Sequence, residues 1–165
     1  MARRERKPDP REAIESRAGR RCEYCRAPQP ATGIRYHLEH VFPESLGGTD
    51  EADNLALACP TCNYYKSNHL LGLDEDGMAG RPLFNPRKDQ WHEHFEFDSS
   101  TLRLKGKTAT GKGTVNRLHL NDSMQLEARR ALGGTGPLSL EPEPVAAPPR
   151  VPGDERWCSG VLFME

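Results

Sequence analysis

Residues 21–68 read RCEYCRAPQPATGIRYHLEHVFPESLGGTDEADNLALACPTCNYYKSN and hold four of the five cysteines, as the pairs Cys22/Cys25 and Cys59/Cys62. Two residues between cysteines let both thiolates of a knuckle reach one ion, and Zn²⁺ prefers four soft or borderline ligands in a tetrahedron. The spacing therefore predicts a structural zinc held by Cys22, Cys25, Cys59 and Cys62, against redox pairs or unliganded thiols. Between Cys25 and Cys59 lie 33 residues, so the insert must fold back to bring the knuckles together, and a hairpin would do that. A four-thiolate site is closed to substrate, so any chemistry has to come from the insert. Cys158, alone near the C-terminus, reads as an incidental thiol.

Within the insert, Ile34 to Phe42 has strand character and ends at Pro43. The period of two puts His37 and Glu39 on one face, with His40 at the strand's end. Residues 45–50 form a loop with two glycines available for positive φ. Asn54 to Ala58 gives a short second strand, and Pro60 opens a helix to about Ser67 that carries Cys62, Asn63 and Lys66. If strand and helix pack, Glu39 and Asn63, with His37 as a further candidate, could present oxygen and nitrogen atoms to one divalent ion. His40 would then be free to accept a proton. Phosphodiester hydrolysis needs that division of labour: a metal to polarise the phosphate, and a base that titrates near neutrality to deprotonate water. Glu39 and Asn63 are hard donors, which favours Mg²⁺ or Mn²⁺ over a second zinc. Lys66, one turn beyond Asn63, could pair with a phosphate. On spacing alone each residue also has a plainer reading: His40 an orienting or surface histidine, Glu39 and Lys66 solvated charges, Asn54 a turn residue.

The chain of 165 residues is 35% hydrophobic with 14 prolines, which suits a small stapled domain better than one with a large core. Its net charge of −1 conceals an asymmetry. Residues 1–26 carry nine Arg/Lys against five acids, or +4, and local sign matters more than the total for a polyanionic partner. The N-terminus has no apolar signal region and no run is long enough to span a bilayer, so the expectation is an intracellular, cytoplasmic protein without a membrane partner. In that reducing compartment, paired cysteines favour metal over disulfides.

Around the insert, residues 1–19 are expected to form a basic arm and a helix over about 10–18, capped by Asp9, with Ile14 on the buried side. Residues 20–72 make the core unit. Residues 73–134 make an extension packed on it: an acidic loop after Gly72, an extended connector from Pro82 to Pro86, short strands around Trp91, Phe95, Phe97 and Leu102/Leu104, and helices over 108–120 and up to Leu132. Residues 135–165, rich in proline, are expected to be a mostly disordered tail.

Several motifs stand in order: C-x-x-C, Glu39-His40-Val41-Phe42-Pro43, Gly47-Gly48-Thr49-Asp50, Asn54-Leu55, and Cys59-x-x-Cys62-Asn63-x-x-Lys66. Over about residues 20–70 the chain thereby resembles the HNH endonuclease domains of the ββα-metal (His-Me finger) class. Leu83-Phe84-Asn85-Pro86-Arg87 with Trp91 and His94-Phe95 is similar to an extension of some HNH proteins. The resemblance implies an α+β fold, a small ββα-metal unit stapled by zinc with flanking helices and short strands. It implies His40 as general base, Asn54 holding the loop and the base, and Glu39 and Asn63 as ligands of the catalytic ion. It further implies a DNA partner, double-stranded and contacted through its backbone, with 5′-phosphate and 3′-hydroxyl products. Glutamate stands where aspartate is more usual, and asparagine where histidine is common, as in RNA-guided effector nucleases. The rival is a zinc-stabilised nucleic-acid-binding module whose site is vestigial; a purely structural zinc protein is a third reading. No feature reports sequence specificity or oligomeric state.

Overall fold

The computed structural model describes residues 10–133. The basic residues 1–9, the capping Asp9 and the tail over 135–165 lie outside them. The architecture is a mixture of short helices and three separate two-stranded antiparallel sheets.

The chain enters through α1 (Pro10–Arg17), whose Ile14 is fully buried. Two of its arginines face inward. Arg11 Nη1 donates to the Tyr36 carbonyl at 3.0 Å, and Arg17 donates to the carbonyls of Ala52 and Leu55 at 2.9 and 2.7 Å. Part of the basic charge at this end of the chain is therefore engaged with backbone carbonyls. The Cys22–Cys25 knuckle follows, then α2 (Gln29–Thr32), which ends at Gly33 with φ 64°. This helix shortens the strand expected from Ile34: Tyr36 N–H donates to the Gln29 side chain at 2.7 Å, and pairing begins only at His37.

The central hairpin joins β1 (His37–His40) to β2 (Leu55–Ala58), with His37 opposite Ala58, Leu38 opposite Leu57, Glu39 opposite Ala56 and His40 opposite Leu55. β2 is buried along its whole length, and its outer edge is covered by the first knuckle. Glu23 N–H donates to the Leu57 carbonyl at 2.8 Å, and its carboxylate accepts from Leu57 N–H at 2.8 Å. An edge strand covered in this way presents no free ladder for another chain. α3 (Pro60–Lys66) starts directly after Cys59, with Pro60 at the first helical position and the Cys59 sulfur capping Cys62 N–H at 3.4 Å.

Residues 71–82 differ from the expected acidic loop and connector. β3 (Leu71–Leu73) pairs with β4 (Ala79–Pro82) around a turn in which the Asp74 carboxylate accepts from Asp76 and Met78 N–H at 3.0 and 2.8 Å. β4 is exposed at every position, so it lacks the apolar alternation that marks a strand. α4 (Trp91–His94), β5 (Phe95–Asp98), β6 (Arg103–Gly106), α5 (Ala109–Arg117) and α6 (Ser123–Ala131) complete the elements of the described residues. A Cβ on Gly72 would lie 2.6 Å from the backbone of Gly113, so glycine at both positions lets β3 and α5 touch main chain to main chain.

One hydrophobic cluster runs through everything, from Ile14, Tyr24 and Leu57 to Phe84, Phe95, Leu104 and Leu118. The extension packs directly on the first knuckle. Trp91 Nε1–H donates to the Tyr24 carbonyl at 2.8 Å, Phe84 meets the Tyr24 ring edge-on, and Arg87 forms a close ion pair with Glu23. No helix among the described residues is long and apolar enough to cross a membrane.

Candidate functional site

The four thiols of the two knuckles converge. Their sulfurs lie within 4.8 Å of one another, and Cys25 and Cys59 approach to 3.7 Å. A tetrahedron of thiolates at the usual Zn–S distance has edges of about 3.8 Å, so this cluster could hold a zinc ion. Contacts among the thiols, with Cys22 first, push Cys25 and Cys62 up and hold Cys59 down. The cluster is closed, with exposures of 0 to 6%.

The second site lies at the far end of the same hairpin. A cleft of about 270 Å³ is floored by Glu39 and His40, walled on one side by loop residues 43–45 and on the other by Asn63, Ser67 and Asn68. His37 does not reach it. The register pairs His37 with Ala58 beside the thiols, whereas Glu39 and His40 pair with Ala56 and Leu55 at the other end.

His40 sits at the last rung of β1, a quarter exposed, with Nε2 2.7 Å from Asp50 Oδ1. The loop that returns Asp50 to it is held by Asn54. Asn54 Oδ1 accepts from Phe42 N–H at 2.8 Å, and its amide donates to the carbonyls of Phe42 and Thr49 at 3.0 and 2.8 Å. The side chain thus continues the hairpin ladder by one rung and ties both ends of the loop. Gly48 is required there, because a Cβ would lie 1.9 Å from the Phe42 carbonyl oxygen.

Glu39 is 4% exposed. Tyr24 O–H donates to its Oε2 at 2.7 Å, and Lys66 Nζ lies 2.6 Å from Oε1. Lys66 also donates to the His40 carbonyl at 3.0 Å. The expectation that Lys66 meets a phosphate is corrected by this geometry. At 2% exposure, its ammonium compensates the buried carboxylate and pins the main chain of the neighbouring histidine. Burial pushes Glu39 above the usual carboxylate range, opposed by Lys66 and Tyr24. Burial, with the Glu39 charge beside it, also raises the Tyr24 phenol well above its ordinary value.

Whether Glu39 and Asn63 suit a hard divalent cation turns on Oε1. It pairs with the Lys66 ammonium at 2.6 Å, and a carboxylate oxygen still has a further lone pair to offer. With the Asn63 side chain on the same cleft, the donor set fits Mg²⁺ or Mn²⁺.

Two residues of this arrangement escaped the reading of the sequence. Asp50 was visible only as part of a glycine loop, and Tyr24 only as a spacer between cysteines. A larger cavity, about 500 Å³, opens between the β3–β4 turn and the start of α6, lined among others by Asp74, Arg103, His119 and Asp122. Its histidine stacks on Tyr65 at 4.2 Å, and none of the residues expected to do chemistry line it.

Residues 22–72 match the family model of HNH endonucleases, so the resemblance holds for this segment. The Septu protein PtuB of Bacillus thuringiensis is 29% identical over 125 residues, covering 74% of this chain and 45% of that relative. The chain thus spans less than half the relative's length. No solved structure gives a significant match.

Proposed function

We propose that the chain is a metal-dependent endonuclease that hydrolyses DNA phosphodiester bonds at the cleft beside His40, on a unit stapled by zinc at Cys22, Cys25, Cys59 and Cys62. The observation that carries the reading is the meeting of His40, Glu39 and Asn63 on one cleft, within the segment that matches the HNH endonuclease family. Asp50 Oδ1 accepts a hydrogen bond from Nε2–H of His40, a tautomer in which Nδ1 keeps the lone pair that accepts a proton from water. Asn54 fixes the loop that carries Asp50, and so the histidine's orientation. Tyr24 and Lys66 favour the charged form of Glu39 and so oppose the effect of its burial. A Mg²⁺- or Mn²⁺-like ion held by Glu39 and Asn63 would polarise the phosphate and stabilise the leaving oxygen.

One observation favours the rival, a nucleic-acid-binding module without catalysis: the Glu39 carboxylate already has a cation at 2.6 Å. Supercoiled plasmid incubated with the purified protein and Mg²⁺ or Mn²⁺ separates the two. The wild type is expected to nick and then linearise it, while His40→Ala loses about 10² to 10⁴ in rate, the usual contribution of a positioned base. Equal cleavage by both would remove His40 from the mechanism. Binding without cleavage by the wild type would establish the rival.

A further inference from the structure

Tyr64 follows Asn63 on α3 and is 75% exposed. Among the described residues it is one of five large apolar side chains left exposed, and its neighbour Asn63 lines the cleft. The C-cap Ser67 and Asn68, just past the end of α3, line the same cleft. Its ring is held in place from behind. Tyr64 meets Tyr65 edge-on at 5.2 Å, and Tyr65 stacks on His119 at 4.2 Å. On the loop side of the cleft, Leu46 follows the lining residue Ser45 and is 52% exposed.

The charge around the cleft sharpens the question of how a polyanion is held there. The lining includes two carboxylates, Glu39 and Glu44, and neither lysine nor arginine. The neighbouring ammonium, Lys66, is engaged with Glu39. Affinity at this spot would therefore come from a cation held by Glu39 and Asn63 and from apolar contact. Aromatic rings hold nucleic acid by stacking on a base face. In an intact duplex both faces of every internal base are covered by neighbours, so a ring on a helix can stack only where a nucleotide is unpaired or turned out.

We propose that Tyr64 is the stacking platform for an unpaired nucleobase beside the scissile phosphate, so that the cleft prefers single-stranded or locally unpaired nucleic acid to a perfect duplex. Leu46 on the other rim is the apolar wedge that keeps the base out of its stack. The inference rests on the nuclease reading for the location of the phosphate, but its test does not need cleavage.

Labelled oligonucleotides of one sequence, as single strand, perfect duplex and duplex with a central gap, are titrated by fluorescence anisotropy with zinc-loaded His40→Ala protein in Mg²⁺. Tighter binding of the single-stranded and gapped forms is expected. Adding Tyr64→Ala should weaken those two forms roughly 5- to 100-fold, the range for losing one stacked base, and leave the duplex nearly unchanged. Tyr64→Phe should retain them and Tyr64→Leu should not. An equal loss on all three forms, no loss at all, or no binding of any form by the parent protein would overturn the proposal. Failure of the wild type to cleave the single-stranded and gapped forms in Mg²⁺ or Mn²⁺, with these binding differences intact, would sink the nuclease reading and leave the platform standing.

Discussion

The thiol cluster and the cleft are built on the same hairpin and helix, and they are made in opposite ways. The cluster is closed on all sides, its four ligands between 0 and 6% exposed. Each of its residues is set by spacing alone. On the nuclease reading the cleft has to admit water and a phosphate, and His40 is a quarter exposed there. Its carboxylate is nevertheless buried, and burying a charge is costly unless it is paired and hydrogen-bonded. Lys66 and Tyr24 are that compensation. A staple works by excluding solvent, whereas a reactive site must exclude most of it and still keep one charged group and one base in usable states. The two regions also touch: Tyr24 lies between two thiol ligands of the cluster, and its hydroxyl reaches Glu39 in the cleft.

The largest expected effect breaks the comparison at its root. A structural zinc contributes about 10 kcal/mol or more to folding, so stripping it with a strong chelator should abolish the cooperative thermal melt and most of the helical circular dichroism. The cleft should behave in the opposite way, with His40→Ala shifting stability by no more than about 0.5 kcal/mol, as expected of a partly exposed residue away from the core. A full melt in metal-free protein would mean that the aromatic cluster around Tyr24, Phe84 and Trp91, and not the thiols, holds the hairpin.

Next in size is the buried ion pair. Lys66→Met removes the compensating ammonium and leaves Glu39 unpaired in a buried position, at a cost of about 3–5 kcal/mol. Glu39→Gln together with Lys66→Met should recover part of that loss in urea unfolding of the zinc-loaded protein. If the two losses simply add, the pair is not coupled. The pH dependence has a definite sign. Burial raises the Glu39 carboxyl in the folded state, so the folded protein binds this proton more readily than the unfolded chain. Stability from this group is full below the unfolded value and falls as pH rises through the folded value. Removing Lys66, which opposes the shift, should steepen that fall.

The sequence made the staple and the outline of the hairpin and helix readable because each rests on a local rule: two-residue spacing for the thiols, period two for β1, proline at the first turn of α3. What it hid depends on contacts between distant residues. Lys66 looks like a solvated helix residue until the helix is docked on β1, when its ammonium meets Glu39 from 27 positions earlier. His37 shares strand parity with Glu39, but parity does not tell which end of a hairpin faces the cleft. The β3–β4 hairpin was missed because its second strand is exposed throughout and held by an aspartate turn, with no apolar alternation to reveal it.

Asp50 gives the smallest and most discriminating test. It is 89% exposed and its only described side-chain partner is His40, so an exposed contact of this kind adds little to folding, about 0–1 kcal/mol. On the nuclease reading its role in the cleft is separate from that small energy, because accepting a hydrogen bond from Nε2–H would leave the other nitrogen of His40 to take a proton from water. Losing one such hydrogen bond in the transition state corresponds to about 0.5–1.5 kcal/mol, or roughly a 2- to 12-fold lower cleavage rate. Asp50→Asn still offers a carbonyl oxygen to Nε2–H and should lose less than Asp50→Ala, with unfolding midpoints of both near wild type. Wild-type cleavage by Asp50→Ala would show that the loop, held by Asn54, orients the histidine without its aspartate. A large drop in stability would instead move Asp50 from the open site to the scaffold, and the contrast between the two regions would have to be redrawn around it.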